Sequence, residues 1–284
     1  FLNSAVWAQC DSVYTSFCVM SFYFLLRGRG RLSMALYGVA FSFKLQAVFF
    51  APAAVVFFLK GRLKFSDLLF FVLAYFLCAL PAVIAGMSLV DALCGAYLIQ
   101  TNEYDRITLN APNLYQFLSD SYNVSPELGN MLIFFAFGVC AIFCTYFYRA
   151  DYRLDDKGML LIAYLFSVLL PFVLPHMHER YFYMADIFAV IFTFVYPKKA
   201  YISAATAYCS LRAVVMFLFD GSGTKGSLTQ VAVLMGAAIA ALCIFVVGEL
   251  KEKKAREGAG APETVSAPLY VQRTAEEVSD GKES

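Results

Sequence analysis

RGRGRLSMALYGVAFSFKLQAVFFAPAAVVFFLKGRLK, residues 27–64, holds two basic clusters, RGRGR (27–31) and KGRLK (60–64), with only the 28 residues 32–59 between them. Those residues are nearly all apolar, so they belong in hydrocarbon, yet their number suits neither way of crossing it. Two full crossings of a bilayer about 30 Å thick need roughly 40 residues. A single crossing would carry KGRLK to the far side and invert every later basic loop. Lys and Arg mark the cytoplasmic loops of membrane proteins, so both clusters are expected on one side, joined by a re-entrant hairpin of two short helices. Its tip falls at FKLQ (43–46), with Lys44 at membrane depth and Pro52 on the returning arm. Irregular backbone at that depth survives only where protein or a watery cavity covers it, and an ionisable side chain there is by default a functional candidate. The bland alternative is a Lys44 that snorkels to the surface.

The rest of the chain agrees with a bilayer setting. Hydrophobic residues make up 61% of it and charged ones only 15%. Apolar segments recur at roughly 5–26, 32–59, 65–86, 129–148, 158–175, 181–197, 200–219 and 228–248. The expected fold class is all-α: a polytopic transmembrane bundle of about seven spanning helices plus the hairpin, since helices satisfy their own backbone in lipid. A barrel would show alternating ten-residue segments instead. The basic connectors 27–31, 60–64, 148–157 and 198–199 read as cytoplasmic, and 87–128, 176–180 and 220–227 as outer. Net charge of +1 gives no reason to invoke nucleic acid. The eight cysteines lie mostly within apolar segments and read as small hydrophobes. Residues 1–248 are expected to form the membrane domain and 249–284, rich in Glu, Lys, Ala, Gly and Ser, a disordered cytoplasmic tail. The opening FLNSAVW has no initiator Met and no signal peptide, which suggests an N-terminally incomplete chain.

Four polar sets fall on the expected outer side. NSAVWAQCDS (3–12) opens the first helix, with Trp7, Gln9 and Asp11 near its outer end. Lys44 and Gln46 form the hairpin tip. TLNAPNLYQFL (108–118) brings Asn110 and Asn113 in a loop too long to be an ordinary connection. HMHERYFY (176–183) follows Pro171 and Pro175, which are expected to end a helix. It carries both histidines of the chain, His176 and His178, with Glu179, Arg180, Tyr181 and Tyr183. The bland reading of HMHER is an interfacial cap facing water and headgroups. A metal site is a weak alternative, because HxHE lacks the i, i+4 spacing of helical zinc ligands, and no cofactor is expected.

In this order and spacing, NSAVWAQCDS, KLQAVFFAP, TLNAPNLYQFL and LPHMHERYFYMAD resemble the bacterial integral-membrane glycosyltransferases related to GPI mannosyltransferase II, within the GT-C superfamily. The likeness covers roughly residues 1–200. It implies a GT-C-like fold and transfer, with inversion, of a sugar of mannose type from a polyprenyl-phosphate donor. The acceptor would be a glycan, lipid or protein on the outer face of the cell membrane. It also implies that the general base sits in a first outer loop upstream of residue 1, leaving Asp11 to position and pack, though Asp11 is the tempting substitute base. On that reading Arg180 clamps the departing phosphate, because a guanidinium fork fits phosphate geometry. Lys44 or His178 assists and Glu179 orients the fork. Trp7, Gln9, Gln46, Asn110, Asn113, His176, Tyr181 and Tyr183 are candidates for substrate contacts. The rival class is a transporter or flippase of polyprenyl-linked glycans, which would also use broken helices and buried charges.

Overall fold

The computed structural model describes residues 2–95, 106–118, 125–220 and 225–258. It is an all-α polytopic bundle. The helices are α1 (Asp11–Leu26), α2 (Gly30–Phe43), α3 (Ala51–Leu59), α4 (Phe65–Ile84), α5 (Pro126–Arg149), α6 (Asp156–Val173), α7 (Tyr183–Val195), α8 (Ala200–Val215) and α9 (Lys225–Gly258). Short 3₁₀ and π turns flank several of them. Among the described residues, five helical stretches are long and apolar enough to cross a membrane: α4, α5, α6, α8 with its flanking turns, and the Leu228–Ala255 part of α9. α1 and α7 coincide with the other two expected crossings but are shorter, at 16 and 13 residues.

Residues 30–59 form the hairpin. α2 runs through 14 residues to Phe43, Lys44 is extended at φ −158° and ψ 134°, and a 3₁₀ turn over Leu45–Phe50 leads into α3. At 1.5 Å per residue the 14-residue α2 is about 21 Å long, short of the ~30 Å that a full crossing of the hydrocarbon needs. Close packing of α2 on α4 depends on Gly38, where a Cβ would come within 2.4 Å of the Phe71 carbonyl oxygen. Small residues at such crossings let membrane helices approach.

α6 is the centre: every residue from Gly158 to Pro171 is buried. Its start is capped by Asp155 Oδ1, which accepts from the Gly158 N–H at 2.9 Å. Pro171 lies inside its last turn and does not end it. The helix stops at Val173, where extended Leu174 precedes Pro175. α3, α7 and α9 pack against α6, and an aromatic group of Phe22, Phe50 and Phe188 ties α1, the 3₁₀ turn and α7 together. α4 is peripheral, since among its residues only Asp67 is buried. Phe65, Leu69, Val72, Leu73 and Phe76 stand exposed along it, an apolar face that suits lipid.

The two ends of the bundle differ. At one, Lys60 Nζ donates to the carbonyls of Ala150 and Tyr152, Arg62 pairs with Asp156 at 2.8 Å, and Lys253 pairs with Asp155 at 3.1 Å. KGRLK and YRADYRLDDK therefore share an end, as the hairpin requires. The Lys253 contact and buried Leu250 belong to α9, which continues to Gly258. Residues 249–258 continue α9, and 259–284 lie outside the described residues. At the other end are Asp11, Lys44 and the HMHER segment.

Candidate functional site

The site end is built by pairing two segments far apart in sequence. Thr108–Leu109 (β1) and Met177–His178 (β2) form a short parallel ladder. The His176 N–H donates to the Ile107 carbonyl at 2.8 Å, and the Glu179 N–H to the Leu109 carbonyl at 3.2 Å. Asn113 caps a 3₁₀ turn, its side chain accepting from the Tyr115 N–H at 3.2 Å and donating to the Leu174 carbonyl at 3.4 Å. The Tyr115 hydroxyl donates to the Val173 carbonyl at 2.8 Å. Burial pushes the Tyr115 hydroxyl up to about 12. His176 Nδ1 lies 2.7 Å from the Arg106 carbonyl. Asn113 and His176 therefore hold loop to loop. His176 and Asn110 both sit at φ 59°, a conformation Asn and His tolerate better than most side chains.

This clamp delivers Glu179 and Arg180 to the start of α1 and the tip of the hairpin. Asp11 and Glu179 are fully buried, while the side chains of Lys44, Arg180 and His178 keep 14, 18 and 13% of their exposure. Asp11 Oδ1 pairs with Lys44 Nζ. Asp11 Oδ2 accepts from Asn3 at 2.9 Å and lies 3.9 Å from Arg180 Nε. Arg180 also pairs with Glu179 Oε1 at 3.3 Å, and His178 Nδ1 stands 3.7 Å from Glu179 Oε2. Aromatic rings back the cations: Trp7 lies 5.3 Å and Tyr181 5.6 Å from the Arg180 guanidinium, and Tyr181 lies 5.5 Å from Lys44 Nζ.

Charge in this cluster is formally balanced, two carboxylates against Lys44 and Arg180, which is what permits its burial. Its hydrogen bonding is incomplete. Glu179 Oε2 and Arg180 Nε make no hydrogen bond among the described residues, whereas buried polar groups ordinarily do. Two partly exposed cations, fixed by buried anions and flanked by rings, form an arrangement able to receive an anionic group at its open side. Among the described residues no three of His, Cys, Asp and Glu lie together as a metal site requires.

Of the residues singled out in the sequence, Asp11, Lys44, His178, Glu179, Arg180, Trp7 and Tyr181 converge. Gln46 is buried on the 3₁₀ turn, its Oε1 without a hydrogen bond among the described residues. Gln9 engages through its backbone N–H, donated to the Asn3 carbonyl at 3.1 Å. Asn110 is exposed in a single bridge with His178. Tyr183, half-buried, begins α7. Two members had not been anticipated, Asn3 and Tyr14. Tyr14 is fully buried, with its ring 6.0 Å from Lys44 Nζ. Its spacing of three from Asp11, on one helical face, was the available signal; Asn3 reaches Asp11 through a turn at Ala8, φ 56°, that no periodicity announces.

A family model described as ALG3 protein matches residues 9–159, just over half of the 284-residue chain. The match takes in Asp11, Lys44, Gln46, Asn110 and Asn113 and ends before HMHER. No curated protein and no solved structure matches the chain.

Proposed function

The chain belongs to the ALG3 family, membrane glycosyltransferases that use a polyprenyl-linked sugar donor, and on that premise we propose that it transfers mannose, with inversion, from a polyprenyl-phosphate carrier to a glycan acceptor. The reaction takes place at the Asp11–Lys44–Arg180 end of the bundle. Its position opposite the basic loops supports, by the positive-inside rule, a site that faces the outer side. A GT-C-like architecture and a kinship with the bacterial relatives of GPI mannosyltransferase II are part of this reading and rest on the four motifs.

The observation that carries it is the pair of half-sequestered cations on one buried carboxylate. As the glycosidic bond to the carrier breaks, negative charge grows on the phosphate oxygens. Fixed cations in a water-poor site stabilise that charge without reorganising. Arg180 presents the planar fork, with Glu179 and Asp11 orienting it; Lys44 adds a point charge. His178 completes the rim, and Trp7 and Tyr181 offer faces against which a sugar ring can pack. Asp11 acts as a positioning residue: its oxygens are taken up by Lys44 and Asn3 and it is wholly buried. The general base, which must meet the acceptor hydroxyl, comes from outside this cluster.

The test is transfer of labelled mannose in proteoliposomes. Polyprenyl-phosphate mannose should serve as donor, a nucleotide sugar should not, and the product's anomeric configuration, read by NMR, should be opposite to the donor's. Turnover with the nucleotide sugar alone, or retained configuration, overturns the proposal.

A further inference from the structure

The basic end of the bundle carries two kinds of cation. Lys60, Arg62 and Lys253 are engaged internally, with backbone carbonyls, Asp156 and Asp155. Arg29, Arg31 and Lys64 are exposed, and among the described residues none of them forms an ion pair.

The fold gathers this second set. Gly28, at φ 69°, turns the chain between α1 and α2. Gly30 then seats the turn on the start of α4, so closely that a Cβ there would come within 2.3 Å of Asp67 Oδ2. The guanidinium of Arg29 lies 6.0 Å from the Phe24 ring and that of Arg31 5.7 Å from the Phe70 ring, on α4. Exposed Arg27 lies 6.0 Å from the Tyr23 ring on the same turn. Lys64 stands just before α4. Asp67, on α4 beside the turn, is buried and accepts from the Lys64 backbone N–H at 3.0 Å. Away from this patch runs the exposed apolar face of α4, through Phe65, Leu69, Val72, Leu73 and Phe76.

We propose that the α1–α2 turn, with the start of α4, binds the headgroup of an anionic phospholipid whose acyl chains lie along α4. Planar guanidinium forks match phosphate oxygens, the rings behind them hold the forks at the surface, and the adjoining face is apolar over several turns. A soluble anion would use the cations and leave that face unused. A neutral lipid would use the face and leave the cations without a partner.

The experiment titrates phosphatidylglycerol into the detergent-purified protein and counts bound lipid by native mass spectrometry, with phosphatidylcholine and inorganic phosphate as parallel arms. The wild type should retain phosphatidylglycerol preferentially. A cation near a membrane surface contributes about 1 kcal/mol, roughly fivefold in affinity, so Arg29→Gln with Arg31→Gln should weaken binding roughly 25-fold. Arg31→Lys, which keeps the charge, should stay within about fivefold of wild type, and Lys198→Gln with Lys254→Gln, exposed cations of the same end, should change binding less than twofold. Monodisperse elution certifies that each variant is folded. Equal retention of phosphatidylcholine, full competition by inorganic phosphate, or equal loss in the Lys198/Lys254 variant each overturns the proposal.

Discussion

Replacing Lys44 by Met removes a charge while keeping an unbranched stem, and the structure sets what that costs. Asp11 is wholly buried and Lys44 is its closest cation. Removing one partner of a buried ion pair costs about 3–5 kcal/mol, mostly the penalty of the charge left behind. Here Asn3 still donates at 2.9 Å and Arg180 still stands at 3.9 Å, so the lower figure applies. At roughly 2–4 °C per kcal/mol, about 3 kcal/mol lowers the apparent Tm by about 6–12 °C. Adding Asp11→Asn removes the stranded carboxylate, and the double variant should recover most of that loss, since exchanging a whole buried pair is often nearly neutral. Transfer should not recover with it. Without the Lys44 charge the departing phosphate loses ~1.4–2.7 kcal/mol of stabilisation, a 10- to 100-fold drop in kcat/KM. The assays are a thermal melt in detergent followed by gel filtration, and mannose transfer on the folded fraction. A Lys44→Met variant as stable as wild type would refute the buried pair, and a double variant with wild-type turnover would refute any role for Lys44 beyond stability.

Three further outcomes follow from the same geometry. Gly38→Ala drives a Cβ towards the Phe71 carbonyl and should cost about 1–3 kcal/mol by overpacking, read as a lower apparent Tm with KM for donor unchanged in the surviving fraction. Tyr115 is raised by burial to about 12 from an ordinary value of about 10. Its contribution to the loop clamp is therefore complete below about pH 10 and lost as pH rises towards 12; hydrogen exchange at residues 173–180 should show this loosening in wild type and not in Tyr115→Phe. Single cysteines at positions 29 and 61, in a cysteine-free background, should label from the same side of the membrane, and opposite sides would break the hairpin.

The hairpin was legible because it follows from arithmetic on two basic clusters, and because a charged residue in an apolar run marks where the helix must yield. Lys44 was visible as an ion at membrane depth, and Asp11 and Arg180 as charges at the outer ends of apolar segments. Their pairing was not, since Asp11 and Lys44 meet across 33 residues and only tertiary packing decides which buried charge finds which. The ladder between Thr108–Leu109 and Met177–His178 escaped notice because two residues a side carry no alternation to read. It changes the meaning of His176 and Asn113, polar residues of apparent chemistry that the fold employs to fasten one loop to another. The helical stretch 249–258 was hidden by its composition: ELKEKKAR reads as solvent-facing tail until Lys253 is seen against Asp155.

The central claim is that Arg180 meets the carrier phosphate as the sugar leaves, and transfer of labelled mannose by Arg180 variants tests it most directly. Lys keeps the charge and loses the fork, so Arg180→Lys should lower turnover by roughly 10- to 1000-fold, corresponding to ~1.4–4 kcal/mol of transition-state stabilisation. Arg180→Ala should fall further, while Lys198→Ala, an exposed cation at the opposite end, should leave transfer unchanged. Wild-type transfer by a well-folded Arg180→Ala protein would contradict the account and reduce HMHER to a charged cap on a structural clamp.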